Sequence, residues 1–141
     1  MKKLIFIIIF TLLIGSLPSL FIDMDISNLY KPFYIPNILF PIVWTILFIL
    51  MSISYYLVSN EDTTKIYLIQ LFVNALWSVI FFGLKLRLLA FFWLLLLLAL
   101  IIIMTIKYFK INKISGYLLI PYILWVTFAG YLNLSICLLN K

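Results

Sequence analysis

The sequence lacks histidine, contains one cysteine and carries few charges. Charged residues make up 10% of the 141 residues and hydrophobic residues 67%, whereas soluble domains average about 25% charged and about 45–50% apolar residues. A soluble fold of this length needs a polar surface that this composition cannot supply. The composition therefore excludes a soluble globular domain and predicts an integral membrane protein.

The missing side chains also exclude several chemistries. Without histidine, haem ligation would need Met, Cys or Tyr, and general acid–base catalysis loses its commonest agent. The single cysteine, Cys137, cannot form an intramolecular disulfide. No acid lies inside an apolar run, so the proton relays of coupled transporters lack their usual carboxylates. We therefore expect a binding protein rather than an enzyme, with no catalytic residues, no metal site and no required cofactor.

The charges that are present lie outside the apolar runs and sum to a net charge of +6. Anionic lipid headgroups explain this excess better than nucleic acid does, so we expect membrane lipid as a partner and no nucleic acid. If the runs cross the membrane in turn, six Lys and Arg residues lie on the amino-terminal side and four on the other. This count favours a cytoplasmic amino terminus.

Five apolar runs are long enough to cross a bilayer, since about 20 helical residues span about 30 Å of hydrocarbon. They cover residues 4–22, 39–58, 66–83, 88–106 and 115–139. The alternating segments of a membrane barrel are missing. The sequence therefore predicts an all-α integral membrane protein, a bundle of five transmembrane helices in a single domain over residues 1–141.

The first run also resembles the beginning of a signal peptide, because Lys2 and Lys3 precede an apolar stretch. However, the run continues past the usual signal length, and the residues from Leu17 to Leu20 make a poor cleavage site. We therefore expect it to be retained as the first helix.

The segment 23–38 is the longest connection between the predicted helices. It contains Tyr34 and the prolines Pro32 and Pro36, and prolines fix φ and remove a hydrogen-bond donor. Such a segment would be irregular but stiff, like a lid above the bundle. It would equally fit an interfacial segment with its tyrosines at headgroup depth.

A polar face follows the third predicted helix. Gln70, Asn74, Trp77 and Ser78 recur at helical spacing in an otherwise apolar run. Unpaired polar groups are costly in hydrocarbon, so this face should point into the bundle. It could serve as hydrogen-bonding contact between helices or as part of a ligand site.

Aromatic stripes follow the second and fifth predicted helices. The first stripe consists of Trp44, Phe48, Met51 and Tyr55, and the second of Trp125, Phe128, Ala129, Leu132 and Asn133. In the second stripe the small residues Ala129 and Gly130 leave a recess, and Pro121 should kink the helix one turn earlier. These faces fit a cavity for a flat apolar molecule, although such stripes also occur in ordinary packing.

Three separated patterns resemble one known family in the right order along nearly the whole chain. The patterns are Lys31-Pro32-x-Tyr34-x-Pro36 leading to Phe40-Pro41-Ile42-Val43-Trp44-Thr45-Ile46-Leu47-Phe48, then Asn74-Ala75-Leu76-Trp77-Ser78 with Phe81-Phe82-Gly83, and Leu118-Leu119-Ile120-Pro121-Tyr122-Ile123-Leu124-Trp125-Val126-Thr127-Phe128-Ala129-Gly130-Tyr131-Leu132-Asn133. They resemble the TspO/MBR family, the tryptophan-rich sensory proteins that include the mitochondrial translocator protein.

The resemblance implies a homodimeric five-helix membrane protein that binds porphyrins, haem or sterol-like molecules in a cavity under the first loop. It also suggests the cell membrane of a bacterium. The ligand-binding residues that it implies are Tyr34, Pro36, Trp44, Phe48, Asn74, Trp77, Trp125, Phe128, Ala129 and Leu132. The alternative function is transport of a tetrapyrrole or another hydrophobic substrate across the membrane.

The chain departs from the family pattern at several positions. Tyr34 stands where the family's loop has tryptophan, and Trp93 where a fourth-helix aspartate is frequent. Leu134 stands at a bacterial tryptophan that the family associates, together with the Trp44 position, with porphyrin breakdown. We therefore expect no degradative activity. The carboxy-terminal cholesterol pattern also fails, since Tyr131 is too far from Lys141.

Overall fold

The computed structural model describes residues 2–20 and 39–140, which form helices and, within these ranges, no strand. The α-helices are α1 (Lys2–Ser16), α2 (Leu39–Val58), α3 (Glu61–Ser78), α4 (Arg87–Ile111), α5 (Lys113–Leu118) and α6 (Ile120–Leu139). A 3₁₀ turn at Leu17–Leu20 follows α1, and a π-helical turn at Val79–Gly83 extends α3. The predicted all-α membrane fold is confirmed.

Within the described residues, four helical stretches are long and apolar enough to cross a membrane. They are Leu39–Val58, Glu61–Gly83, Arg87–Ile111 and Lys113–Leu139. The first predicted run corresponds to α1 and its 3₁₀ turn, and its last two residues, 21 and 22, lie outside the described residues. Each of the five apolar runs thus corresponds to helical structure at its place in the chain.

Polar caps move the helix ends beyond the apolar runs. The predicted third helix began at residue 66, but α3 begins at Glu61 because Asn60 and Thr63 form a reciprocal capping box. The acids of its first turn also favour the positive end of the helix dipole. Similarly, α4 continues to Ile111 rather than ending at 106, and the Asn112 side chain caps α5.

The predicted fifth helix, for which a kink near Pro121 was expected, is divided into two helices just before this proline. Leu119 separates α5 from α6, and Pro121 lies in the first turn of α6, where its missing N–H breaks no bond within that helix. Near the amino terminus, Pro18 lies in the 3₁₀ turn that ends α1, in keeping with the bias of the residue before proline against α geometry. Both prolines mark helix boundaries.

The helices form a closed ring. Around it, α1 packs on α2, α2 on α5 and α6, α6 on α4, α4 on α3, and α3 on α1. In addition to its two neighbours around the ring, α2 packs against α3 and α4 across the interior. The aromatic stripe of α2 can therefore meet α6, and the polar face of α3 can reach the interior.

Helix α4 is more than a wall facing lipid. The sequence of residues 94–98 is uniformly apolar and resembles a lipid-facing segment, but α4 has a fully buried stripe that packs between α3 and α6. The stripe consists of Ala90, Leu94, Leu97, Ile101, Met104 and Tyr108. Alternating steps of three and four residues place it on one helical face, whereas Leu95 and Leu96 between them are exposed. The uniform leucine composition hid this periodicity.

Candidate ligand-binding site

An aromatic cluster joins α2 to α6. We call it the α2–α6 cluster, and it consists of Phe40, Trp44, Phe48, Tyr122, Trp125 and Phe128. Trp44 lies at its centre, stacked on Phe48 with ring centroids 5.6 Å apart. It also makes edge contacts with Tyr122 at 6.2 Å and Trp125 at 6.3 Å. The two stripes predicted on separate helices therefore meet, and they present large ring surfaces.

Small residues lie beside this cluster on α6. Ala129 is buried and follows Trp125 by four residues, so both lie on one helical face. Gly130 is also buried, yet a Cβ added there would meet no atom within 4 Å. A close-packed interior seldom leaves such space beside a buried backbone. The recess at Ala129 and Gly130 stays a prediction, which the open space at Gly130 supports.

A chain of buried hydrogen bonds lies behind the cluster. The Asn74 side-chain amide donates to the Tyr122 hydroxyl at 2.6 Å, and that hydroxyl donates to Gln70 Oε1 at 2.8 Å. Gln70 Nε2 in turn donates to the backbone carbonyl of Tyr67 at 3.0 Å. The Tyr67 hydroxyl continues the chain to Thr11 on α1 at 2.5 Å. The predicted polar face of α3 thus points inward and connects α1 to α6.

Asn74 and Trp77 both make internal hydrogen bonds. Trp77 Nε1 donates to Asn133 Oδ1 at 3.0 Å, and its ring stacks on Phe81 with centroids 5.3 Å apart. Asn133 Nδ2 donates to the backbone carbonyl of Arg87, which ties α6 to the start of α4. These bonds hold helices together, and the ligand contacts expected of Asn74 and Trp77 stay predictions.

A close contact from α1 fixes the far side of the cluster. A Cβ built on Gly15 would lie 2.3 Å from Cζ of Phe48, so only glycine allows the ring to approach α1 this closely. Phe48 is buried and stacks on Trp44. Gly15 therefore sets the position of Phe48 and, through it, the position of Trp44.

Changing Gly15 to alanine should disturb the Trp44 environment. We expect Gly15→Ala to lower the free energy of unfolding by about 1–3 kcal/mol, as overpacking does, and to alter the near-ultraviolet circular dichroism of the tryptophans. Gly116→Ala is the matched control, since its Cβ would lie 2.1 Å from Phe109 Cδ2 and Phe109 contacts Tyr117 instead. An unchanged tryptophan spectrum in Gly15→Ala would contradict this role. The role would also be contradicted if the double variant Gly15→Ala/Phe48→Leu failed to recover the free energy of unfolding lost in Gly15→Ala.

The predicted site residues fall into three groups. Trp44, Phe48, Trp125 and Phe128 meet in the α2–α6 cluster, and Ala129 and Leu132 are buried along the same α6 face. Asn74 and Trp77 lie on α3 with internal partners. Tyr34, Pro36 and the lid-like loop 23–38 lie outside the described residues.

Sequence reasoning missed two members of the cluster, Phe40 and Tyr122. Phe40 precedes Trp44 by four residues and so continues its stripe by one turn. Tyr122 follows Pro121 within the third family-like pattern, and it contacts Trp44 while bonding to α3. Both residues stood inside quoted patterns, but nothing in the sequence indicated that Tyr122 would bridge two helices.

The chemistry of this site is stacking and neutral hydrogen bonding. The α2–α6 cluster contains no carboxylate, amine or thiol, and the described ranges bring no group of three His, Cys, Asp or Glu side chains together. Flat ring surfaces beside open space suit a planar apolar molecule.

Comparisons with known proteins identify a family for this chain. A model of the TspO/MBR family matches residues 6–139. Protein CrtK of Rhodobacter capsulatus is 41% identical over 124 residues, covering 81% of this chain and 77% of that protein. A tryptophan-rich protein TspO of Archaeoglobus fulgidus is 36% identical over 149 aligned positions, covering 98% and 97%. A translocator protein homolog of Schizosaccharomyces pombe is 32% identical over 136 positions, covering 82% and 83%.

Proposed function

This chain belongs to the TspO/MBR family of membrane proteins, and we propose that it binds porphyrins and other flat hydrophobic molecules, such as sterols, as a membrane-embedded sensor. The observation that carries this proposal is the α2–α6 cluster, which brings the rings of two helices together, and open space at Gly130 on α6 adds to it. A bound ring system would enter between α2 and α6 and lie against Trp44 and Trp125.

The shape of the cluster supports a planar ligand. Trp44 and Trp125 stand nearly perpendicular, at 87°, so they form two walls of a corner rather than one flat surface. Aromatic faces attract other aromatic rings in offset or edge geometry, beyond the gain from burying apolar area. A porphyrin offers both a large face and an edge to such a corner.

The names of relatives support a sensory role. A relative from Cereibacter sphaeroides, 32% identical, is named a tryptophan-rich sensory protein. For this chain we propose binding without chemical conversion, because the cluster holds no ordinary acid or base and Leu134 stands where the family's degradative tryptophan is expected. Porphyrin or haem would then be a ligand and not a required cofactor. A homodimer in the cell membrane of a bacterium stays a proposal.

Transport is the second candidate function. The relative from Schizosaccharomyces pombe is named a translocator protein homolog. In addition, the buried hydrogen bonds from Asn74 to Thr11 give the interior a polar strip alongside the aromatic cluster. A transporter would move the bound porphyrin across the bilayer, whereas a sensor would hold it and release it on the same side.

Fluorescence quenching of the purified protein tests the proposal. Porphyrin should quench the tryptophan emission saturably at about one molecule per chain, because binding to a single site saturates whereas partition into detergent does not. A tryptophan octyl ester in the same micelles is the control for partition. Linear quenching equal to that of the control would overturn the proposal. Porphyrin accumulation in the lumen of proteoliposomes, absent from empty liposomes, would favour transport.

A further inference from the structure

The indole N–H of Trp125 is a buried hydrogen-bond donor that finds no acceptor in the part of the chain that the structure describes. Two other tryptophans do have partners. Trp77 Nε1 donates to Asn133 Oδ1 at 3.0 Å, and Trp93 Nε1 donates to the backbone carbonyl of Val73 at 2.8 Å. The described helices thus provide acceptors for indoles that hold helices together, but residues 2–20 and 39–140 provide none at Trp125.

An unpaired buried donor needs a physical reason. Buried polar groups in native proteins are nearly always paired, since leaving one unpaired costs free energy that folding must offset. The neighbouring rings of Trp44 and Phe40, with centroids 6.3 and 5.9 Å away, offer at most a weak N–H···π contact. A molecule that brought a good acceptor would therefore gain a hydrogen bond without breaking one that the described helices make.

We propose that Trp125 Nε1 donates a hydrogen bond to a neutral carbonyl oxygen of the bound molecule. This proposal rests on the proposed function and adds the chemical class of ligand that the site selects. The acceptor is neutral because the α2–α6 cluster contains no cation, and a buried carboxylate without a cation would be costly. The preferred ligand is therefore a flat apolar molecule that carries an ester or ketone on the edge facing Trp125.

A matched pair of neutral porphyrins separates this hydrogen bond from ring stacking. Mesoporphyrin dimethyl ester carries two ester groups, and etioporphyrin carries alkyl groups in their place on the same macrocycle. We expect the parent protein to bind the ester about three- to tenfold more tightly, as one net hydrogen bond allows. Trp125→Phe should bring the ratio of the two affinities close to one, because phenylalanine keeps a ring but has no donor.

Two further variants show that the effect belongs to the donor. Trp44→Phe should lower the affinity for both porphyrins by a similar factor and preserve the ratio of the two affinities, since Trp44 contributes ring surface and not the hydrogen bond. Leu96→Phe, on the exposed face of α4, should change neither affinity. Loss of the ratio in Trp44→Phe but not in Trp125→Phe would assign the donor to the wrong tryptophan and overturn the proposal.

Nitrogen-15 spectra of the parent protein test the same hydrogen bond without relying on a folded Trp125 variant. The ester porphyrin should move the Trp125 indole N–H resonance downfield, whereas those of Trp77 and Trp93 should stay in place because both are already bonded. If both porphyrins bind with equal affinity and no indole resonance shifts, this inference fails while the proposed function stands. If neither porphyrin binds, both fail together.

Discussion

Replacing Ala129 by phenylalanine should lower the affinity for porphyrin about ten- to a hundredfold, a loss of about 1.4–2.8 kcal/mol of binding free energy. Ala129 is buried, with 4% of its surface exposed, and lies four residues after Trp125. The added ring would stand on the α6 face that carries Trp125 and Leu132. It would then occupy the volume proposed for the ligand, so its cost falls on binding.

Folding and binding must be separated in this experiment, because overpacking can also destabilise a protein by about 1–3 kcal/mol. Far-ultraviolet circular dichroism and thermal unfolding of Ala129→Phe should stay close to those of the parent if the ring fills open space. Leu96→Phe makes the same kind of change on an exposed face, with 46% of Leu96 accessible, and should leave binding intact. A folded Ala129→Phe that binds porphyrin as tightly as the parent would move the site elsewhere.

A smaller change at the neighbouring residue tests the same volume. Gly130→Ala adds one methyl group where no atom lies within 4 Å. The variant should fold as well as the parent, since alanine favours a helix over glycine by about 1 kcal/mol. Its loss of porphyrin affinity should be smaller than that of Ala129→Phe, because a methyl group fills less of the proposed ligand volume than a ring does.

Helical periodicity predicts which faces of α2 and α6 point into the bundle. Phe48 and Trp125 belong to stripes that a helix must present on one side, and large aromatic residues in a bundle favour the interior. The stripes did meet, with Trp44 in contact with both residues. What periodicity cannot give is the order of helices around the ring, because every span is apolar enough to be a neighbour of any other.

The sequence alone does not predict contacts that arise only when residues of different helices come close together. Gly15 lies in an apolar run with no polar signal, and its role appears only where the Phe48 ring reaches it from another helix. The same holds for the bridge made by Tyr122. Helix ends were missed for a different reason, since Asn60 caps α3 with polar atoms while the runs were defined by apolar residues.

Removal of the Tyr122 hydroxyl should lower the free energy of unfolding more than any other single substitution proposed for this bundle. Tyr122 is buried, and its hydroxyl accepts a bond from Asn74 and donates one to Gln70. Tyr122→Phe leaves both of those groups without their partner. Each unpaired buried group costs about 1–3 kcal/mol, so with two such groups we expect the free energy of unfolding to fall by about 2–6 kcal/mol.

Tyr131→Phe is the matched control for this prediction. Tyr131 lies on the same helix, but 54% of its surface is exposed, and a substitution at such a position should change the free energy of unfolding by less than about 0.5 kcal/mol. Reversible unfolding in mixed micelles measures both variants against the parent. Equal stability of Tyr122→Phe and Tyr131→Phe would show that the buried hydrogen bonds contribute nothing measurable.

Replacing the whole set of polar groups distinguishes the cost of an unpaired group from the gain of a bond. The triple variant Tyr122→Phe/Gln70→Met/Asn74→Leu removes the polar atoms of all three side chains that share these two hydrogen bonds. If desolvation of the orphaned groups causes the loss, this triple variant should recover most of the stability that Tyr122→Phe loses, because replacing both partners of a buried bond can be nearly neutral. If it is less stable than Tyr122→Phe, the bonds themselves stabilise the bundle. Since the Tyr122 ring also contacts Trp44, porphyrin affinity of the triple variant then shows whether the ring alone keeps the pocket in shape.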